Sequence, residues 1–376
     1  MKTMNSKAVS KIPVPYLVTV IISVLLLVIG HTVMVRDMFT LKNPEQVPVK
    51  AVVVNITDRV QAESDTTIVF EARISGGAHN GEIVKATHIV YNVLRTGPRE
   101  AAEGDTVMLV KFGDVWFFNG YVRANKLIGL GILFVVCVLI FGRKKGFNTI
   151  LSLGLTCIAV FAVFIPSILS GKNIYIMAAL VCVYTTITTL LIVSGFNKKT
   201  LAAVIGCISG IMITGMIAIV MDQLLRLTGI VDEQSRTLVN LPLVNPVNLK
   251  AIIFAGIIIG AMGAIMDVAM SISSSLWEVK EKAGTIPFDA LFRSGLNIGR
   301  DILGSMANTL VLAYIGSSLS VVLILTVYSN SLMELINREM IVVEILQALA
   351  GIFGILAAMP LTAFFSAKLY LKKRGS

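Results

Sequence analysis

The sequence is poor in charged residues. Lys, Arg, Asp and Glu together make up 14% of the 376 residues, whereas 56% are hydrophobic. The hydrophobic residues occur in runs of about 20, the length that an α-helix needs to cross the hydrocarbon core of a bilayer. This composition excludes an ordinary soluble α/β protein. It predicts a polytopic α-helical membrane protein whose main partner is the lipid bilayer.

Cysteine and histidine are also scarce. The chain has four cysteines and three histidines, and all four cysteines lie in apolar runs, where cysteine behaves as a small hydrophobic residue. With no CxxC pair, this pattern predicts neither a disulfide framework nor a metal site. The nucleotide-binding motif GxxxxGK[ST] is missing, and so is the GxGD pattern of intramembrane aspartyl proteases. We expect no enzyme activity, no catalytic residue and no cofactor.

The net charge of +10 does not indicate nucleic-acid binding, because excess Lys and Arg in a polytopic chain usually mark cytoplasmic loops. We expect eight transmembrane helices, near residues 14–35, 126–141, 147–169, 174–195, 200–222, 250–276, 300–327 and 342–368. With a cytoplasmic N-terminus, the basic clusters at 143–145, 198–199 and 372–374 all fall on the cytoplasmic side. Both termini are therefore predicted to be cytoplasmic.

The only large polar segment, residues 37–122, has the pattern of a β domain. Short runs rich in Val, Ile, Thr and aromatic residues are separated by turn signals at Gly76-Gly77, Gly97-Pro98 and Gly113-Asp114. Five short strands suit a small antiparallel barrel of the OB-like type. We expect this domain to be extracytoplasmic, between the leader and first helix (1–36) and a seven-helix bundle (123–376), and to serve as a structural or partner-docking module.

A cytoplasmic segment at 284–298 has an apolar stripe that contains Phe288, Leu291, Phe292 and Leu296. Pro287 suits a first helical turn, and Asp289 complements the positive end of a helix. The pattern predicts a short amphipathic helix on the inner leaflet.

Asp267 lies well inside an apolar run, in the stretch GAIMDVAMSISSSLWE (263–278). A carboxylate at this depth costs a few kcal/mol on insertion scales. Residues spaced by three or four share one face of a helix, and the face of Asp267 holds Gly256, Gly260, Gly263, Ser271 and Ser274. Glycines at such spacing allow close helix packing. The carboxylate is therefore predicted to point into the bundle.

The next helix offers partners for Asp267. Asp301, Ser305 and Asn308 share a face there, flanked by Gly304, which we count among the packing glycines. Asp267 and Asn308 lie at similar distances from the cytoplasmic helix ends, about 15 Å at 1.5 Å per residue. The expected ion-coupling site is therefore Asp267 with a shell of Asn308, Ser271, Ser274 and Asp301.

Two interpretations of this site remain open. In one, Asp267 only forms hydrogen bonds that hold two helices together, which are worth roughly 0.6–2 kcal/mol in membranes. In the other, it is a lone carboxyl group that takes up and releases a proton or another cation. The second interpretation is favoured, because an asparagine would serve equally well for the first.

The segment from about residue 126 to the end resembles the YibE/F family of bacterial membrane proteins. The resemblance is carried by the stretch around Asp267, by GRDILGSMANTLVLAYIGSSL (299–319) and by EILQALAGIFGILAAMPLTAFF (344–365). It implies a bacterial plasma-membrane protein with a first helix, an outer domain and a bundle. The function of the family is poorly defined.

A more distant similarity is to resistance–nodulation–division (RND) transporters, including the SecD and SecF export proteins. In that superfamily a helix aspartate takes part in proton or sodium coupling, and this role would fall on Asp267 alone. The chain departs from that pattern in its eight expected helices, its small outer domain and the lack of a basic partner for Asp267. Similarity of fold does not establish function.

We therefore expect a secondary transporter or exporter, coupled to protons or sodium, of an unknown ion or small molecule. The alternative is a non-transporting membrane scaffold whose outer domain binds an envelope partner. A homo-oligomer or a partner membrane protein is compatible with either function, and no nucleic acid is expected.

Overall fold

The computed structural model describes residues 14–36, 47–62, 65–77, 79–91, 99–240 and 246–371. The basic leader, the Gly97-Pro98 turn and the basic tail at 372–374 lie outside these residues. The chain divides into two compact units, Thr40–Phe141 and Met1–Phe39 with Gly142–Ser376.

The first unit contains a closed five-stranded barrel. Its strands are β1 (Val49–Gln61), β2 (Asp65–Ile74), β3 (Ile83–Tyr91), β4 (Thr106–Phe112) and β5 (Val115–Tyr121). The order around the barrel is β1-β2-β3-β5-β4, and β1 also pairs with β4. Every pair is antiparallel except β3 with β5. The five strands predicted from the sequence are confirmed.

The barrel core follows from the alternation of side chains along each strand. In β2, Ile68, Phe70, Ala72 and Ile74 are buried at every second position, which is the period that places a strand's side chains on one face. His88 is the buried titratable residue of this core, and its ring stacks on Phe118 with centroids 3.8 Å apart.

Apart from the barrel, the described chain is mostly helical. The helices are α1 (Val14–Val35), α2 (Ala124–Ile158), α3 (Ile165–Leu169), α4 (Ile174–Ser194), α5 (Lys198–Leu224), α6 (Glu233–Val239), α7 (Leu249–Ala283), α8 (Phe288–Tyr328), α9 (Leu332–Ile336) and α10 (Glu339–Leu371). A π-helical turn, Ala159–Phe164, joins α2 to α3. Within the described residues, seven helical segments are long and apolar enough to cross a membrane.

The sequence predicted eight such helices, and the difference lies at Arg143. The two predicted helices at 126–141 and 147–169 form one segment, Ala124–Leu169, of 46 residues. Its backbone leaves helical geometry at Arg143, where φ is 48° and ψ is −125°. A straight helix of this length would extend about 70 Å, roughly twice the thickness of a bilayer core. The sequence therefore located the interruption but overestimated its length.

The expected amphipathic helix at 284–298 is the first part of α8, so it is not a separate element. Leu291 is fully buried, and the rings of Phe288 and Phe292 contact the ring of Phe364 on α10. The stripe packs against the bundle, where α10 supplies an apolar partner for it. Its expected position on the membrane surface stays a prediction.

Small residues bring α5 and α10 into close contact. A Cβ atom on Gly206 of α5 would overlap the hydroxyl group of Thr362 on α10, and one on Gly354 of α10 would overlap that of Thr214 on α5. Such small residues let helix backbones approach closely in a membrane. α7 packs against both helices, so these three helices form the packed centre of the bundle.

Polar contacts mark the two ends of this centre. At one end, Lys250 of α7 forms an ion pair with Asp222 of α5 at 3.6 Å; we call this the Lys250 end. At the other end, Ser273 of α7 donates a hydrogen bond to the carbonyl oxygen of Lys199 on α5 at 2.7 Å; we call this the Lys199 end. α7 runs from the Lys250 end to the Lys199 end.

Candidate functional site

One side of α7 is exposed along much of its length. It consists of Gly256, Gly260, Gly263, Asp267 and Ser271, which share a face because they are three or four residues apart. We call it the glycine strip. The opposite side of α7, including Ile265 and Ile272, is buried. The sequence predicted that these five residues share a face, and all five are exposed.

Asp267 lies in the glycine strip, and its side chain is exposed. Among the described residues it has no hydrogen bond and no ion pair. On one side of the strip, Met270 contacts Ser194 of α4, with Sδ and Oγ 3.7 Å apart. On the other side, Tyr314 of α8 lies over Gly260.

The prediction that Asp267 points into the bundle is wrong for the single chain. Its helix face is exposed between the contact of Met270 with α4 and the contact of Gly260 with Tyr314 of α8, and we call this exposed face the groove. The carboxyl group is nevertheless within electrostatic range of Cys207 on α5, a buried residue of the bundle. The groove therefore brings an exposed carboxyl group close to the packed centre.

The predicted partners of Asp267 on α8 lie on a different surface. Asp301, Ser305 and Asn308 share one face of α8 and are all exposed, whereas Gly299 and Leu310 on the other side of this helix are buried. No hydrogen bond joins Asn308 to Asp267 in the part of the chain that the structure describes. The expected contact between them is not formed within one chain, because α8 presents its apolar side to α7.

The serines of α7 are also distributed differently from the prediction. Ser271 is exposed and Ser274 is half-buried. The serine that the structure buries is Ser273, which contacts the hydroxyl group of Tyr370 on α10. Of the two serines assigned to the shell, only Ser271 belongs to the exposed strip that contains Asp267.

The glycines predicted to pack against a neighbouring helix divide into two kinds. A Cβ atom on Gly263 or Gly304 would meet nothing within 4 Å, so the packing role predicted for these two is wrong. A Cβ on Gly260 would be 2.6 Å from Tyr314 Oη, and one on Gly256 would be 3.7 Å from Gln347 Nε2. Gly260 therefore makes room for Tyr314, whereas a Cβ on Gly256 would make an ordinary van der Waals contact with Gln347.

Comparison with known protein families identifies the family of this chain. The sequence model of YibE/F-like proteins matches residues 130–372. The chain belongs to this family. Searches of curated proteins and of solved structures gave no match. The matched region of this YibE/F-like protein includes the whole glycine strip and all of α8 and α10, but not the barrel. The more distant similarity to RND transporters is not shown and stays a prediction.

The sequence analysis did not assign two further polar residues of this YibE/F-like protein to the site. They are Tyr314 on α8 and Glu344 on α10, each with a buried oxygen that has no hydrogen-bond partner among the described residues. Glu344 lies inside the apolar stretch that begins α10. A carboxyl group in such a stretch is the sequence signal by which it could have been identified as a candidate site residue. Its position near a helix end made exposure to water the simpler interpretation.

The described residues contain no group of three His, Cys, Asp or Glu side chains that could hold a metal ion. The site is instead a single carboxyl group on an apolar helix, bordered by glycines and hydroxyl groups. A group of this kind can bind one proton or one small cation at a time.

Proposed function

We propose that this protein is an ion-coupled secondary transporter or exporter of the bacterial plasma membrane, with Asp267 as its ion-responsive carboxyl group. The observation that carries the proposal is that Asp267 has no hydrogen bond or ion pair among the described residues, although it lies on an apolar helix. A permanently charged group facing acyl chains costs a few kcal/mol. A carboxyl group that water or a cation reaches through the groove avoids this cost when it is ionised.

The packing around α7 suggests which parts of the bundle move. One side of α7 is held against α5 and α10, whereas the side with Asp267 is open between α4 and α8. Uptake of a cation removes the charge of Asp267 and favours a closed groove; its release favours a hydrated one. A change in charge would thus bias α4 and α8 between two packings against a fixed centre.

The proposed membrane topology follows from the distribution of basic residues along the chain. The Lys199 end is assigned to the cytoplasm and the Lys250 end to the outside, with both termini cytoplasmic. The break at Arg143 then separates two crossings within Ala124–Leu169, which makes eight crossings in all. The exposed face of α8 with Asp301 and Asn308 is a polar surface on which a second membrane-spanning chain would pack.

The decisive experiment is a flux assay on the purified protein in proteoliposomes. Proton movement is followed with an internal pH-sensitive dye while proton and sodium gradients are imposed in turn. Asp267→Asn should abolish the gradient-driven flux. Asp289→Asn is the matched control, since Asp289 is an exposed carboxylate ion-paired with Arg293 at 3.9 Å. Equal flux in wild type and Asp267→Asn would reject the coupling role.

A scaffold function is the second candidate, and the barrel favours it. Its closure, its strand order and its parallel β3–β5 pair support an OB-like interpretation, a fold that often binds ligands on its surface. In this alternative the barrel docks an envelope component and the bundle is only its anchor. Deletion of residues 40–120 would then remove all function in cells, while Asp267→Asn would have no effect.

A further inference from the structure

A second polar pair lies between the Lys250 end and Asp267. Tyr314 Oη on α8 and Glu344 Oε2 on α10 are both shielded from solvent, and neither has a hydrogen-bond partner among the described residues. The two side chains are close enough to interact electrostatically. A buried polar group without a partner costs roughly 1–3 kcal/mol, and more if it is charged. Two such groups on the neighbouring helices α8 and α10 are poorly explained by packing alone.

The glycine strip connects this pair to Asp267. Tyr314 Oη lies over Gly260, and Gln347, one helical turn after Glu344, reaches Gly256 with its amide group. Gly260 precedes Asp267 by seven residues, or about 10 Å along the helix axis. Tyr314 therefore borders the same strip as Asp267, about two turns nearer the Lys250 end, and Gln347 contacts the strip about one turn further away, at Gly256.

Several charged groups of the surrounding elements are engaged in other contacts. At the Lys250 end of the helices around the start of α10, they are Lys250 with Asp222, Arg338 with Glu334, and Glu339 with the backbone of Thr228 and Gly229. None of these contacts includes Glu344. Within the described chain, the charge of Glu344 is therefore not neutralised by an ion pair.

We propose that Glu344 and Tyr314 form a second binding site for a small monovalent cation, which receives the ion from the Lys250 end before it reaches Asp267. The carboxylate supplies the negative charge, and the phenolic oxygen and the amide oxygen of Gln347 supply neutral ligands. Oxygen ligands of this kind suit Na⁺, and the carboxylate alone can accept H⁺. The site's place on a transport path rests on the proposed function, but its ability to bind a cation does not.

Labelling with a hydrophobic carbodiimide tests the site directly. Such reagents react with protonated carboxyl groups in apolar surroundings, and a bound cation blocks the reaction. The full-length protein in lipid vesicles is treated at pH 6 in either choline chloride or NaCl, and the modified residues are identified by mass spectrometry. Glu334 is the internal control, because it is exposed to water and ion-paired with Arg338 at 2.6 Å; it should remain unmodified.

We expect Glu344 to be labelled at least tenfold above Glu334. Protection by NaCl but not by choline chloride identifies a sodium site, and labelling without protection identifies a proton site. Tyr314→Phe should raise the NaCl concentration needed for half-protection several-fold, or, for a proton site, change the labelling rate of Glu344 at least threefold. Gly316→Ala on α8, where an added Cβ atom would meet nothing within 4 Å, should change neither measurement.

Labelling of Glu344 no stronger than that of Glu334 would overturn the proposal, and so would a Tyr314→Phe variant that behaves as wild type in both measurements. The result is separate from the flux assay. If Glu344 binds a cation while Asp267→Asn leaves flux unchanged, the second site stands and the coupling role of Asp267 fails. If flux depends on Asp267 but Glu344 is not labelled, only the second site fails.

Discussion

The hydroxyl oxygens of Ser273 and Tyr370 lie 2.6 Å apart inside the bundle. The Tyr370 hydroxyl also donates to the carbonyl oxygen of Ser273 at 2.9 Å, and Ser273 donates to the carbonyl oxygen of Lys199 at 2.7 Å. One serine of α7 thereby contacts both α5 and α10. These contacts hold the Lys199 end of α7 in place on the side away from Asp267.

Removal of this contact should destabilise the bundle. Ser273→Ala and Tyr370→Phe should each lower the free energy of unfolding by roughly 0.6–2 kcal/mol, the range for hydrogen bonds between membrane helices. Because both changes remove the contact between the two hydroxyl groups, the double variant should lose less unfolding free energy than the sum of the two single variants. Thermal unfolding in detergent provides the measurement. Ser274→Ala is the control, and additive effects would contradict the shared contact.

A methyl group on Gly206 should be poorly tolerated. Gly206→Ala would force Cβ onto the hydroxyl group and the backbone of Thr362, so we expect a loss of about 1–3 kcal/mol in unfolding free energy, typical of overpacking. Gly263→Ala, on the open part of the glycine strip, should be neutral or slightly stabilising, because alanine favours helix. Thermal unfolding of the two variants side by side gives the comparison. Equal behaviour would mean that α5 and α10 are not in close contact.

The stability of Asp267 variants separates the two interpretations of this residue. Asp267→Leu should leave the unfolding temperature unchanged or raise it, because the carboxyl group loses no partner among the described residues and an unpaired charge is removed. A fall of several degrees would instead support the structural role, in which Asp267 holds two helices together. The measurement is made on the same preparations as the flux assay.

The barrel should become less stable in mild acid. Burial lowers the pKa of His88, and this effect exceeds the opposing attraction of Glu100. Below the usual histidine pKa of about 6.5, the unfolded chain takes up a proton that the folded barrel resists. His88 therefore contributes stability at neutral pH that is lost as the pH falls through this range and towards the lower folded-state pKa.

Fluorescence of Trp116 in a Trp277→Phe background reports on barrel unfolding alone, since these are the two tryptophans of the chain. The urea midpoint should fall between pH 7.5 and pH 5, and His88→Phe should reduce the fall. His31→Gln is the control, because His31 lies on α1, outside the barrel. An equal fall in wild type and His88→Phe would exclude His88 as the cause.

Much of the fold follows from local patterns. Alternation along β2 and its neighbours indicated the barrel strands, and long apolar runs indicated the helices, because both signals depend on residues close together in the chain. The spacing around Asp267 also placed the residues of the glycine strip on one face. The basic residues around Arg143 indicated the helix break there. A cluster of charges does not reveal how many residues depart from helical geometry.

The sequence did not reveal which element packs against each helix face. The apolar stripe of Phe288 and Leu291 fits a lipid surface and a helix surface equally well, and it packs on α10. Gly263 and Gly304 have the spacing of packing glycines, yet the close contacts belong to Gly206 and Gly354. Which glycines make close contacts depends on which helices, far apart in the chain, pack together. The periodicity within a single helix does not contain this information.

The residue types and their spacing along the chain establish an apolar helical bundle, a five-stranded barrel and a carboxyl group at the middle of one helix. Whether that carboxyl group is enclosed or open, and which hydroxyl groups lie near it, was settled by the packing of α5, α7 and α10. Periodicity specifies which side chains share a face. The partner of that face is chosen by the summed contacts of segments far apart in the chain, which is why Ser273 is buried and Asp267 is exposed.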